Sequence, residues 1–143
     1  MLTRQRMRVN EFRLRRILRA GRWLPAIFWM SFLFYLSHQA APLQVVASDI
    51  DPFVAHVAVY GILALLLHIA LAGYNSSAPR WVPASIAFAV AVLYGVSDEI
   101  HQAYVPGRVA SELDLVADGI GAAIGVCLAS FAVSRIYARI KNT

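Results

Sequence analysis

Charge is scarce in this chain. Of 143 residues only 15% are Asp, Glu, Lys or Arg and 59% are hydrophobic, against roughly 25% charged in soluble domains. That shortage excludes an ordinary soluble domain and makes an integral membrane protein the expectation. The single cysteine, Cys127, excludes an intramolecular disulfide; in the middle of the fourth apolar run it reads as a small packing residue. No internal repeat, low-complexity tract or second domain stands out, so one compact domain is expected. Also missing is a folded basic face or arm with readout geometry. The net charge of +5 and pI of about 9.9 therefore point to membrane topology and to no nucleic-acid partner.

Four apolar segments are present, read against about 20 apolar residues per spanning helix. They run from about Trp23 to Ala41, from Pro52 to Ala72, from Trp81 to about Tyr104 and from about Glu112 to Val133. The expected fold is all-α, an integral membrane four-helix bundle. Residues 1–22 form a basic N-terminal segment, 23–134 the membrane domain and 135–143 a basic tail. The apolar part of the third segment ends at Val96, too short to span alone, so its helix is expected to continue through the polar residues Asp98 to Tyr104. A cleaved signal peptide is the competing reading of the first span, but Ser37-His38-Gln39-Ala40-Ala41-Pro42 lacks a clean small-x-small site.

Orientation follows from Lys and Arg in short loops. Arg4, Arg6, Arg8, Arg13, Arg15, Arg16, Arg19 and Arg22 precede the first span, Arg80 lies in the second connection, and Arg135, Arg139 and Lys141 follow the fourth. The first connection has no Lys or Arg and the third has only Arg108. Both termini and the second connection are thus expected on the cytoplasmic side. The N-terminal segment is a solvated topology signal attracted to anionic lipid, or an interfacial helix through Met7, Leu14, Ile17 and Leu18. Trp23, Trp81 and Tyr74 read as interfacial belt residues.

The polar residues then fall at one depth. Asp51-Pro52 offers a helix start with Asp49 and Ser48 as further cap candidates, Pro106-Gly107 a turn, and Ser111-Glu112-Leu113-Asp114 a capping box. Counting inward at 1.5 Å per residue puts His56 about 7.5 Å, Asp118 about 10 Å and Asp98 about 9 Å from the outer helix ends. His38 lies slightly shallower. Asp98 with Gln102, Asp114 with Asp118 and His56 with Tyr60 are each i,i+4 and share a face. Ala117, Gly121, Gly125 and Ala129 form a small-residue stripe that permits close helix contact.

Ionisable groups at membrane depth are costly and mark functional sites by default. Three chemistries fit these residue types. His56, His101, Asp98, Glu99 and Asp118 suit a divalent metal, although no His-Glu-x-x-His spacing is present. Arg108 with the N–H groups opening the fourth helix suits an anion, with His101 or a carboxylate as acid or base. A carboxylate–histidine relay suits protons or ions. The alternative is structural: Arg108 pairs with Asp98 or Glu99, and His56 with Asp118, to lock helix ends together. His68, alone among leucines, reads as an interhelical hydrogen-bonder.

In chain order Ser37-His38-Gln39, Asp51 with His56 and Tyr60, Asp98-Glu99-x-His101-Gln102, Pro106-Gly107-Arg108, then Asp114, Asp118 and Gly121 resemble the VanZ-like family over about residues 24–134. The run from Asp98 to Arg108 is the most specific part. The resemblance implies a small polytopic protein of the bacterial cytoplasmic (inner) membrane, in a family whose named member contributes to resistance against the glycopeptide teicoplanin. It implies no settled activity and leaves any cofactor or metal unknown. Asp51, His56, Tyr60, Asp98, Glu99, Gln102, Arg108 and Asp114 match the family pattern. Departures are Pro52 where a lysine often follows the aspartate, Asp118 where many members have asparagine, and Val57 where an aromatic is common. The missing lysine leaves an anion-binding role more dependent on Arg108.

The leading expectation is an outer-face polar pocket that binds a lipid headgroup, a cell-envelope precursor or a glycopeptide-related ligand. Arg108, Gln102, Asp51, Tyr60 and Asp114 would contact the ligand. The rival is a membrane-embedded enzyme, with or without a metal, acting on a lipid-linked substrate through Asp98, Glu99, His101, His56 and Asp118. A third class is a structural or assembly protein.

Overall fold

The structure, a computed structural model, describes residues 20–39, 50–72 and 79–141. Expectations for the basic segment up to residue 19, for Ala40, Ala41, Ser48 and Asp49, and for Tyr74 lie outside the described residues. Among these residues the chain is all helical, with α1 (Leu24–Ser37), α2 (Pro52–Ala72), α3 (Trp81–Gln102) and α4 (Glu112–Lys141). Three of them, α2, α3 and α4, are long and apolar enough to cross a membrane. At 1.5 Å per residue α2 and α3 reach about 31–33 Å, the thickness of the hydrocarbon core. The first span departs from expectation: α1 has 14 residues, about 21 Å. The fourth runs past Val133 to Lys141, because Ser134-Arg135-Ile136 continues the helix beyond the apolar run.

The packing order follows residue size. The small-residue stripe of α4 lies against α2 so closely that a Cβ on Gly121 or Gly125 would overlap the backbone oxygens of Val57 and Gly61 respectively. In lipid, where tails are as apolar as leucine, such close backbone approach supplies much of the association energy through van der Waals contact. The inward face of α3 is a second stripe at helical spacing, Ala87, Ala91 and Gly95, turning polar at Asp98, Glu99 and Gln102. Tyr60, Leu63, Ala64 and Leu67 of α2 complete the core with Ala26 and Leu33 of α1 and Ala122 of α4.

Helix α1 leans on α2 and α3 and is fastened by two polar ties. Trp29 Nε1–H donates to the carbonyl of Val59 (2.9 Å), and the Tyr94 hydroxyl donates to that of Met30 (2.6 Å). Large apolar side chains such as Phe28, Leu93, Leu113, Leu128 and Phe131 face outward, as lipid-facing helices require. Cys127 belongs to this outward set and is exposed, not a packing residue, because the inward positions of α4 are Ala122, Gly125 and Ala129. His68 is buried, but its Nδ1 has no hydrogen-bond partner among the described residues, which leaves that nitrogen without the interhelical bond expected of it.

Candidate functional site

The polar residues gather where the start of α2, the end of α3 and the start of α4 meet. Helix α2 opens as the sequence suggests: Asp51 Oδ1 accepts the Phe53 N–H at 2.8 Å, an N-cap interaction. Asp51 is exposed and spends its carboxylate there. One turn inward, His56 points between α3 and α4. Its Nδ1 lies 2.8 Å from Asp118 Oδ1, and its Nε2 lies 3.8 Å from Asp114 Oδ2. The i,i+4 pair of α4 thus brackets one imidazole, and Tyr60, one turn further in, stacks on it with ring centroids 6.0 Å apart. The Tyr60 hydroxyl is buried without a hydrogen-bond partner among the described residues.

Asp118 is wholly buried because α3 has no side chain opposite it. A Cβ on Gly95 would fall 2.5 Å from Asp118 Oδ2, so Gly95 is the socket into which the carboxylate fits. In the sequence Gly95 is marked only by its place in line with Ala87 and Ala91, one turn before Asp98.

The third connection is shaped by its own hydrogen bonds. Gly107 has φ 83°, and the Arg108 N–H donates to the Val105 carbonyl at 3.1 Å. This is the pattern of a turn with proline and then glycine at its centre, where only glycine takes positive φ freely. It turns the chain back, so that the Arg108 guanidinium donates to Gln102 Oε1, while Gln102 Nε2–H donates to Asp98 Oδ2 at 2.9 Å. The expected ion pair of Arg108 with Asp98 or Glu99 does not form among the described residues, because Gln102 stands between them as a neutral relay. Arg108 Nε is also buried without a partner.

The capping box forms with a substitution of partners. The Asp114 N–H donates to Ser111 Oγ at 3.4 Å, but the Ser111 N–H goes to Glu99 Oε2 of α3 at 2.7 Å. Asp114 is thereby released from the reciprocal arm of the box and faces His56. Glu99, half engaged in this way, also joins His56 and Asp118: one ligating atom from each of the three lies within 4.8 Å of the others.

His101 sits apart from that cluster. It faces α1, with its ring 4.8 Å from Phe34 and stacked on His38 at 5.6 Å between centroids. Its Nε2 and the Ser37 hydroxyl oxygen are buried without partners among the described residues. The structure therefore brings together His56, Tyr60, Asp98, Glu99, Gln102, Arg108, Asp114 and Asp118, and leaves Asp51 at the rim and His101 beside α1.

Four carboxylates, Asp98, Glu99, Asp114 and Asp118, share this end of the bundle, and Arg108 is the sole Lys or Arg between Arg80 and Arg135. Such a set can hold a cation on its acidic side, receive an anion at its arginine, or hand a proton through His56. Comparison with curated proteins and with solved structures finds no match. A sequence model described as VanZ/LLP1 matches residues 22–133, a range that takes in all the residues gathered here. With its three membrane-length helices, the chain is a VanZ-like membrane protein and belongs to the VanZ/LLP1 family.

Proposed function

We propose that the protein binds the anionic headgroup of a membrane lipid or lipid-linked cell-envelope precursor at this polar end of the bundle. The observation that carries the reading is Arg108: its guanidinium rests on a neutral amide, not a carboxylate, and so keeps its charge for an incoming phosphate or carboxylate. A fork held in place by Gln102 suits the bidentate geometry of such anions. With the termini and the 73–80 connection on the cytoplasmic side of a bacterial inner membrane, the site faces outward, toward wall precursors. On this reading a contribution to glycopeptide tolerance follows from occupancy by such a precursor.

Native mass spectrometry of the gently solubilised chain beside Arg108→Ala and Asp98→Asn tests it. Bound anionic lipid is expected in the parent and a loss of at least tenfold in folded Arg108→Ala. Equal lipid in both would refute it and shift weight to a structural or assembly role.

His56 supports a second reading, a membrane-embedded enzyme acting on a lipid-linked substrate. A carboxylate on Nδ1 orients the imidazole for proton transfer. Turnover of a lipid-linked substrate, abolished in His56→Gln with lipid binding intact, is the outcome that distinguishes this from binding alone.

A further inference from the structure

We propose that His56, Glu99 and Asp118 form a binding site for one divalent first-row transition ion of the Zn2+ or Mn2+ class. The three residues come from α2, α3 and α4, and the site goes beyond the headgroup reading because it does not involve Arg108.

Two carboxylate oxygens carry the argument. Asp118 is 0% exposed and Glu99 8%, yet Asp118 Oδ2 and Glu99 Oε1 have no hydrogen-bond partner among the described residues. The other oxygen of each is engaged, Asp118 Oδ1 with His56 and Glu99 Oε2 with the Ser111 N–H. A buried carboxylate oxygen left alone is expensive. These two belong to carboxylates of different helices that meet in one cluster, where the nearest guanidinium is turned to Gln102 and the imidazole of His56 is the one basic side chain in contact with Asp118 among the described residues. A divalent ion with two carboxylates and a neutral imidazole is a neutral set.

The donor chemistry narrows the ion. One imidazole with two carboxylates suits ions of intermediate hardness; there is no thiolate for a soft ion, and Ca2+ and Mg2+ favour all-oxygen sets. Metal–ligand bonds near 2.1 Å put tetrahedral neighbours about 3.4 Å apart. The 4.8 Å spread must therefore close by about 1.4 Å on ion binding, a movement asked of the Glu99 and His56 side chains. An ion on His56 Nδ1 takes the place of the hydrogen bond that this nitrogen makes with Asp118 Oδ1, and leaves the Nε2–H toward Asp114, 3.8 Å away. A carboxylate behind a ligating histidine commonly fixes its tautomer and raises its basicity.

The test uses the tag-free full chain in mild detergent, stripped with chelator. It is dialysed against Zn2+ or Mn2+ in the presence of excess Mg2+ and Ca2+, and metal per chain is measured by plasma mass spectrometry. One ion per chain is expected in the parent, in Arg108→Ala and in His101→Ala, with at least tenfold weaker binding in Glu99→Gln and His56→Gln that elute as the parent does. X-ray absorption of the Zn2+-loaded parent reads the ligand set without any substitution; one imidazole among oxygen ligands and no sulfur is expected. No ion above background in the parent, an ion retained by Glu99→Gln, or two imidazoles in the absorption spectrum would overturn the assignment. The last result would move the ion to His38 and His101. Loss of lipid with the ion retained in Arg108→Ala would separate this site from the headgroup reading.

Discussion

Replacing Gly95 by alanine aims one methyl at the buried carboxylate of Asp118. The new Cβ would lie 2.5 Å from Oδ2 and 3.2 Å from both Cβ and Cγ of Asp118, whereas relaxed carbon–oxygen contacts begin near 3.3 Å. The carboxylate must therefore retreat by about 0.8 Å, the excess over that contact distance. It has no solvent to retreat into and holds His56 Nδ1 at 2.8 Å. Overpacking costs about 1–3 kcal/mol and loss of a charge-assisted hydrogen bond about 1.5–3 kcal/mol. Replacing a helical glycine by alanine returns about 1 kcal/mol. The net is a destabilisation of about 1.5–5 kcal/mol on these terms. Gly119→Ala is the control, since a Cβ there meets nothing within 4 Å, and only the favourable propensity term of about 1 kcal/mol applies. Unfolding in detergent followed by circular dichroism compares the two, together with Gly95→Ala in an Asp118→Ala background. With the carboxylate removed, the cost of the added methyl should fall below about 1 kcal/mol, a direct measure of coupling. Equal cost in both backgrounds, or a Gly95→Ala protein as stable as Gly119→Ala, would refute the reasoning.

Gly125→Ala should be the most damaging of the glycine substitutions, because its Cβ would overlap the Gly61 carbonyl oxygen and meet backbone beyond it, with Gly61 C at 2.8 Å and Cα at 3.1 Å. Loss of monodisperse elution from detergent at temperatures the parent tolerates checks this. Tyr94→Phe removes the 2.6 Å hydrogen bond to the Met30 carbonyl and should lower stability by about 1 kcal/mol. The loss should appear as faster hydrogen exchange in α1 while α2 and α4 keep their protection.

Periodicity and caps made much of this architecture legible. Helix α2 spans Pro52–Ala72, as the apolar run and the Asp51-Pro52 start indicate. Helix α3 does continue past Val96 into the polar residues. The depth count brought His56 to Asp118 because both are referred to helix starts at the same end. The count could not give rotation about the helix axis. His101, only three residues from Asp98, faces α1 instead of the carboxylates. Partners chosen by tertiary proximity were equally hidden: the local capping rule gives the Ser111 N–H to Asp114, but Glu99 of another helix takes it. The Arg108 pairing failed for a related reason, since Gln102 reaches the guanidinium first. Gly95 matters only through the side chain opposite it, which no reading of α3 alone could supply.

The connection between α3 and α4 is clasped twice, Arg108 to Gln102 near its middle and the Ser111 N–H to Glu99 at its close. A free loop bearing one arginine would surrender conformational freedom on capturing a ligand, about 0.5–1.5 kcal/mol for such a side chain alone. Here that ordering is completed during folding, so capture would proceed with little entropic penalty. The same clasp makes Glu99 a mechanical link: any occupant that draws its carboxylate inward pulls on the first turn of α4 and on the strap that presents Arg108. On the proposed reading, an ion at the carboxylates and an anion at Arg108 would each feel the other through this clasp.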